Sequence, residues 1–172
     1  MAVLKIRFDG DPILRQKATK ISRIDESIRK LADDMWETMM AEHGVGLAAP
    51  QIGLSRRLIV IHLPEGYEYE DDPEFNFKLA NPEIIKSFGE QTGQEGCLSI
   101  PGWVGDVPRA ESVTVKAIDM NGRPVRIKAT GHLAVVFQHE IDHLDGILYT
   151  DRVVDKTTLL RVRDEEPAEV EA

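Results

Sequence analysis

The residues best suited to chemistry lie in the segment Gln138–His143, with the sequence QHEIDH, where the surrounding apolar pattern predicts a helix. Histidines four residues apart lie on one helix face, one turn apart, so His139 and His143 can reach a single metal ion. Glu140 points partly toward the same side, where its carboxylate can accept a proton from an attacking water. The alternative is two ordinary histidines on an amphipathic helix, and the complete H-E-x-x-H pattern disfavours it.

A catalytic metal site of this kind needs a third protein ligand and one open position. Cys97 is the best candidate, because a thiolate is a strong, soft ligand and Gly96 permits a sharp turn that aims the sulfur. His62, His132 and the carboxylates stay open as alternatives. A single cysteine is also often just a small buried apolar residue.

A third cluster of interest is Gly44–Gln51, with the sequence GVGLAAPQ, which follows a predicted helix. Its small residues indicate backbone that approaches something closely, although a helix C-cap followed by a tight turn explains the glycines equally well. Gln51 is the polar exception. Its side-chain amide can donate a hydrogen bond to a developing oxyanion.

Two longer helices are predicted to position these segments, one from about Asp25 to Glu42 and one from Thr130, as N-cap, to about Leu144. Asp11 and Pro12 predict a short capped helix. Strands are predicted over 57–63, 80–88, 112–118 and 123–129, with a tight Asn-Gly turn before the last of them. We interpret the acidic stretch 65–74 as a surface loop. No repeat or domain boundary is evident, which predicts one catalytic domain over residues 1–163 and an acidic tail without fixed structure over 164–172.

The composition excludes several classes of protein. The 172 residues carry a net charge of −9, with one cysteine and 42% hydrophobic residues. These values exclude an internal disulfide framework and favour a globular chain in a reducing, cytoplasmic compartment. No apolar run is long enough to cross a bilayer, so no membrane association is expected. Eleven of the acidic residues lie in the 62–75 stretch and the last nine residues, and the nearly neutral remainder predicts no direct DNA binding.

The three clusters, in this order and with this separation, resemble the three motifs of the peptide deformylases: Gly44–Gln51, Glu95–Ser99 (EGCLS) and Gln138–His143. The resemblance covers about Val3 to Tyr149. It implies an α+β fold in which antiparallel or mixed β-sheets pack around a central metal-binding helix. It also implies an activity, the hydrolytic removal of the N-formyl group from the formyl-methionine of nascent polypeptides, with release of formate.

The resemblance implies a role for each motif residue. Cys97, His139 and His143 would hold one divalent metal ion, natively Fe(II), with Zn(II), Ni(II) or Co(II) also able to occupy the site. Glu140 would act as general base and then protonate the leaving amine. The amide of Gln51 and the backbone N–H of Leu98 would stabilise the oxyanion.

The resemblance also implies a pocket for the methionine side chain. Its expected lining residues are Gly46, Leu47, Val135, Val136 and His139. The peptide backbone would pair with the Val45-Gly46 segment as an added strand. The implied partners are formyl-methionyl nascent chains and, transiently, the ribosome.

Several neighbouring residues have two interpretations. His132 either rims the pocket or is an ordinary surface histidine, and Trp103 is either a lid over the peptide or a packed loop anchor. Glu95 and Arg109 form either a pair that braces the cysteine loop or an exposed pair of little consequence. Asp142 is expected to be solvated. At Val104, where some family members have an arginine, no cation is available to contact the substrate.

The main alternative activity is that of a generic H-E-x-x-H endopeptidase, which the short chain and the cysteine disfavour. A non-catalytic metal-binding domain would need a fourth protein ligand, which the motifs do not offer.

Overall fold

The computed structural model describes residues 2–162, so the predicted acidic tail lies outside the described residues. Residues 2–162 form three α-helices: α1 (Glu26–Ala41), α2 (Gly131–Leu144) and α3 (Tyr149–Arg152). Short 3-10 turns occupy Pro12–Arg15, Ala49–Ile52 and Lys156–Thr158. Among the described residues, no helix is long and apolar enough to cross a membrane.

The strands form two antiparallel sheets. The strands in residues 2–162 are β1 (Gly46–Ala48), β2 (Leu58–Leu63), β3 (Phe75–Phe88), β4 (Gln91–Cys97), β5 (Ile100–Arg109), β6 (Ser112–Ile118), β7 (Pro124–Thr130) and β8 (Leu160–Arg161). The larger sheet has the order β1-β2-β3-β6-β7, and the smaller has the order β4-β5-β8. Every pair of neighbouring strands is antiparallel. The short strand β1 is therefore an edge of the larger sheet.

The larger sheet is covered by a helix on each face. In β2, Ile59 and Ile61 belong to the apolar cluster around α2, whereas Leu58 and Val60 belong to the cluster around α1. Burial on both faces explains why this strand is an unbroken apolar run rather than an alternating one. The helix α2 thus lies between the larger sheet and the smaller one, with its polar residues directed toward the latter.

Most of the predicted elements are confirmed. The structure contains the two predicted long helices and strands at all four predicted positions, and Asp25 caps α1 by accepting a hydrogen bond from the Ile28 N–H at 3.0 Å. Thr130 does occupy the N-cap position of α2, but its hydroxyl makes no capping hydrogen bond.

The hairpin β4–β5 is an element that the sequence did not predict. Its glycines and prolines, residues with low strand propensity, favoured a loop over this stretch. The structure shows why a small residue is needed at one of these positions. A Cβ atom on Gly105 would lie 2.8 Å from the Leu159 side chain and 3.2 Å from that of Val153, so a larger residue would require these side chains to shift. The hairpin carries Cys97 and places it opposite α2.

Candidate active site

The three predicted metal ligands meet between α2 and the end of β4. His139 and His143 lie one turn apart on α2, and their Nε2 atoms are 3.2 Å apart. The Cys97 Sγ is 3.4 Å from the His143 Nε2, and all three donor atoms lie within 4.8 Å of one another. The structure therefore brings these three residues together, although they come from two separate parts of the chain.

This donor set fits a tetrahedral divalent ion. Ordinary metal–nitrogen and metal–sulfur bond lengths place neighbouring donor atoms about 3.3–3.6 Å apart, close to the observed separations. The Nδ1 of His139 lies 2.8 Å from the Glu95 carboxylate, an arrangement that keeps a proton on Nδ1 and leaves the Nε2 lone pair free to bind. Two nitrogens and one sulfur suit borderline ions such as Fe(II), Co(II), Ni(II) and Zn(II).

A chain of buried charges supports His139 from behind. Arg109 donates two hydrogen bonds to the Glu95 carboxylate, both 2.9 Å long, and a third to Asp142 at 2.6 Å. Arg152 binds the same Asp142 carboxylate. Burial by itself raises the pKa of Glu95, but its hydrogen bonds with Arg109 and His139 hold that pKa below the ordinary value.

This network answers two questions left by the sequence. Glu95 and Arg109 form a buried pair, so the exposed-pair interpretation is wrong. The expectation that Asp142 is solvated is also wrong, since its side chain is only 12% exposed. The carboxylate is buried because two arginines from different elements converge on it, a tertiary contact that the helical pattern does not reveal.

Glu140 lies beside the metal-ligand cluster, in an apolar environment. Its side chain is buried, and its Oε2 has no hydrogen-bond partner among the described residues. Burial raises the pKa of Glu140 to about 7, with the negative charge of Glu95 adding to this and the positive charges of His139 and Arg109 opposing it. The side chain packs on Gly46, where a Cβ atom would lie 2.5 Å from the Glu140 Oε1. A glycine at this position therefore makes room for the carboxylate.

Gln51 is fixed in one orientation by two hydrogen bonds. Its Oε1 accepts from the Ala48 N–H at 3.0 Å, and its Nε2 donates to the Ser99 hydroxyl at 3.1 Å. This orientation leaves Nε2 3.5 Å from the Cys97 sulfur, with its second N–H directed toward the ligand cluster. Leu98 follows Cys97 at the β4–β5 turn and lines the same cleft. The structure thus places both residues, Gln51 and Leu98, in the cleft that holds the metal ligands.

A cleft of about 880 Å³ opens from this cluster to solvent. Val45, Gly46, Val135, Val136 and His139, five of the residues predicted to bind substrate, line it. The sixth, Leu47, does not. Its side chain is fully buried in the apolar cluster around α1, because alternation along β1 directs it away from α2.

The outer walls of the cleft include residues that sequence reasoning treated as uncertain or overlooked. Trp103 lies in β5, opposite Arg161 of β8, and is 42% exposed in the cleft wall. His132 also lines the cleft, as does Tyr67 from the acidic loop. Sequence reasoning missed Tyr67, for which the one available signal was an aromatic residue in an otherwise polar stretch.

The sequence of the chain matches the polypeptide deformylase family over residues 3–158. A peptide deformylase of Thermomicrobium roseum is 56% identical over 172 residues, which cover 100% of this chain and 98% of that relative. A peptide deformylase of Symbiobacterium thermophilum is 53% identical over 171 residues, which cover 99% of this chain and 74% of that relative.

Solved structures give the same relationship. The peptide deformylase of Synechococcus elongatus in complex with actinonin superposes with a TM-score of 0.82 at 45% identity, covering 90% of this chain and 81% of the other. The Acinetobacter baumannii class I type b enzyme with bound Met-Ala-Ser has a TM-score of 0.83 at 38% identity, covering 88% and 99%. With the motifs, the α+β fold and these relatives in agreement, the chain belongs to the polypeptide deformylase family, whose members are hydrolases that remove the N-formyl group from nascent polypeptides.

Proposed function

We propose that deformylation takes place in the 880 Å³ cleft, with Cys97, His139 and His143 as the ligands of a catalytic divalent ion and Glu140 as the general base. The observation that carries this proposal is the convergence of the three donor atoms next to a buried carboxylate that lacks a protein partner among residues 2–162. A bound divalent ion would act as a Lewis acid and lower the pKa of a coordinated water.

The protein's own residues would supply the remaining steps. Glu140 accepts the proton of the attacking water and then delivers it to the nitrogen of the leaving amine. The Gln51 amide and the Leu98 N–H donate hydrogen bonds to the oxygen of the tetrahedral intermediate. Because the Ala48 N–H and Ser99 hydroxyl already hold the Gln51 amide in place, its orientation costs little during the reaction.

The edge strand β1 supports a specific mode of peptide binding. Its partner β2 lies on one side only, so the other edge can accept an extended peptide as an additional strand. The Met-Ala-Ser tripeptide bound to the A. baumannii relative is consistent with a methionine-first peptide here. In this arrangement the methionine side chain enters the space between Gly46, Val135, Val136 and His139.

Formate release from formyl-Met-Ala-Ser is the direct test, with internal cleavage of the unformylated peptide measured in parallel. We expect formate and a free amino terminus, with no internal cleavage. Internal cleavage without formate would support the endopeptidase alternative. Replacement of Cys97 by Ala should abolish stoichiometric metal binding and activity together, whereas retention of both would refute its assignment as a ligand.

We further propose Fe(II) as the native ion and the cytoplasm, where translation supplies the substrate, as the compartment. A thiolate ligand beside a solvent-open cleft makes an iron form sensitive to oxygen, through iron oxidation or through oxidation of Cys97. Zn(II) has no redox chemistry. Apo-protein loaded anaerobically with either ion should therefore lose activity in air much faster with iron. Equal air stability of the two forms would contradict this proposal.

We also propose a transient ribosome contact through the exposed surface at the end of the larger sheet that lies far from β1. Four exposed cations lie there on β3, β6 and β7: Lys86, Lys116, Arg126 and Lys128. In the strand register Lys116 lies between Glu83 of β3 and Arg126 of β7. None of the four cations forms an ion pair among residues 2–162. Phosphate groups of RNA would neutralise such a face.

Co-sedimentation with ribosomes over a salt series tests this interaction. The triple variant Lys116→Gln, Arg126→Gln, Lys128→Gln should bind ribosomes more weakly. The magnitude of the slope of log K against log salt should also fall by about 1 for each phosphate that is no longer neutralised. The matched control carries Gln at Lys17, Lys20 and Arg23, which are exposed on another part of the chain. Equal weakening of binding in both triple variants would refute a specific role for this face.

A further inference from the structure

The acidic loop between β2 and β3 is fastened to the first turn of α2. The Glu68 carboxylate accepts a hydrogen bond from the His132 backbone N–H at 2.9 Å, in the place where the Thr130 hydroxyl makes no bond. Gly131 has a φ of +58°, and a Cβ atom there would lie 2.6 Å from the Glu68 Oε2. A carboxylate at a helix N-terminus satisfies a free N–H and complements the helix dipole. Glu68 therefore anchors this loop to the helix that carries His139 and His143.

The anchored loop places Tyr67 on the cleft wall. The Tyr67 ring stacks on the His132 ring, with centroids 4.8 Å apart and an interplanar angle of 29°. Both residues line the cleft. Burial lowers the pKa of His132, while Glu68 and Glu95 oppose this shift, so the ring is a neutral aromatic surface at pH 7. Together the two rings form an aromatic stack in the cleft wall.

The position of this wall along α2 matches the reach of a methionine side chain. Val136 and Val135 lie three and four residues before His139, and His132 lies one further turn before Val136. Seven residues of helix span about 10 Å, so the stack lies about 10 Å from the metal-ligand level. A scissile formyl amide followed by an extended methionine side chain spans about 8 Å, because each of its six bonds adds about 1.3 Å along the chain axis. A van der Waals contact of about 3.5 Å bridges the remaining distance to the stack.

We infer that Tyr67, held in place by the Glu68 cap, closes the far end of the methionine pocket and determines which first side chains the enzyme accepts. This inference rests on the proposed function. It assigns the loop a specificity role that is separate from the chemistry, since Tyr67 and Glu68 contact neither Glu140 nor the metal ligands. A longer first side chain would meet the Tyr67–His132 stack, whereas a shorter one would leave the space beside it unfilled.

The test compares formyl peptides that differ only in the length of the first side chain: formyl-Met-Ala-Ser and its S-ethyl and S-propyl homocysteine analogues. In Tyr67→Ala, the kcat/KM of the S-propyl peptide relative to the methionine peptide should rise roughly tenfold, the scale of discrimination that one or two methylene groups provide. Tyr67→Phe keeps the stacked ring and should retain the original ratio. Glu68→Ala should shift the ratio in the same direction as Tyr67→Ala, although Tyr67 itself is intact.

Tyr69→Ala is the matched control, because this tyrosine lies in the same loop but is 68% exposed and does not line the cleft. Its selectivity should remain that of the unaltered enzyme. A second measurement follows binding alone and does not depend on catalytic turnover. Calorimetric binding of the deformylated peptides should show the same change in preference, at unchanged metal content.

The outcomes separate the two proposals. Failure of the unaltered enzyme to release formate from formyl-Met-Ala-Ser would overturn the proposed function. Normal deformylation by the unaltered enzyme, with the same length preference in Tyr67→Ala, would overturn the specificity role alone. A uniform rise of KM for all three peptides in Tyr67→Ala would also overturn it. That result would mean that Tyr67 contributes to peptide binding in general and does not discriminate by the length of the first side chain.

Discussion

Substitutions at Gly46 and Glu140 are predicted to have non-additive effects on the free energy of unfolding, because the missing side chain of Gly46 leaves room for that of Glu140. A Cβ atom on Gly46 would lie 2.5 Å from the Glu140 Oε1, 2.8 Å from its Cδ and 2.9 Å from its Cγ. All three distances are shorter than real Cβ contacts, and they include Cγ, so the whole Glu140 side chain and not only its carboxylate would have to shift. Gly46→Ala should therefore destabilise the fold by about 1–3 kcal/mol, the usual cost of overpacking. For a chain of this size that is a fall in melting temperature of about 2–12 °C.

A double-mutant cycle isolates this interaction. Glu140→Ala removes all three clashing atoms, so Gly46→Ala should cost close to nothing in that background. The free energy of unfolding is measured by urea denaturation for the four proteins, each loaded with zinc to equal occupancy. Gly93→Ala serves as the control, since a Cβ atom on that strand glycine has no atom within 4 Å. It should be nearly neutral in both backgrounds.

An equal cost of Gly46→Ala in both backgrounds would refute this reasoning, because the strain would then come from the β1 backbone and not from Glu140. Activity offers a second check. Gly46→Ala should lower kcat for formyl-Met-Ala-Ser, since the displaced carboxylate no longer reaches the attacking water. Loss of stability with full kcat would mean that Glu140 tolerates the shift.

Three further results are expected. Glu140→Ala should keep its metal, measured by elemental analysis, while kcat falls by about 10²–10⁴-fold, as for the loss of a general base; loss of metal from folded protein would instead make Glu140 part of the binding site. Gln51→Ala should lower kcat more than it raises KM, and an unchanged kcat would limit Gln51 to a structural role. Arg109→Met should reduce the free energy of unfolding by about 3–5 kcal/mol, because it removes two hydrogen bonds and the guanidinium charge from the buried Glu95 carboxylate and leaves it only His139. Metal affinity should also fall by about 10–100-fold, since Glu95 orients His139; Lys128→Met, on the exposed strand β7, is the control for loss of a positive charge.

The sequence predicted the composition of the site because most of that information is local. The spacing of His139 and His143 fixes their shared helix face once the helix is known, and Glu140 follows from the same pattern. The cysteine was a harder inference. Bringing Cys97 to the histidines depends on the hairpin β4–β5, whose glycines and prolines concealed its strands.

The features that the sequence did not reveal are contacts between distant segments. Arg109 of β5 and Arg152 of α3 both bind Asp142. The Asp142 carboxylate is therefore buried, although the helical pattern of the sequence predicts an exposed side chain there. Glu68 caps α2 from 64 residues away, whereas the local candidate, Thr130, does not. In both cases the local rule failed because the partner comes from a distant segment of the chain.

Several buried polar atoms near this site have no hydrogen-bond partner in the described part of the chain, an arrangement that does not stabilise the fold. Among residues 2–162, four buried side-chain nitrogen or oxygen atoms lack a hydrogen-bond partner. Glu140 and His143 supply two of them, and the hydroxyl of Tyr149, whose ring stacks on that of His139 at 6.2 Å, is a third. Such atoms ordinarily cost stability, and most buried polar groups in proteins are paired. The Glu140 oxygen belongs to a residue that lines the cleft, so a partner from outside the chain, the attacking water of the proposed reaction, explains it better than packing does. The stability that these atoms cost is recovered elsewhere, through the two apolar clusters and the Glu95–Arg109–Asp142 network that keep α2 in place.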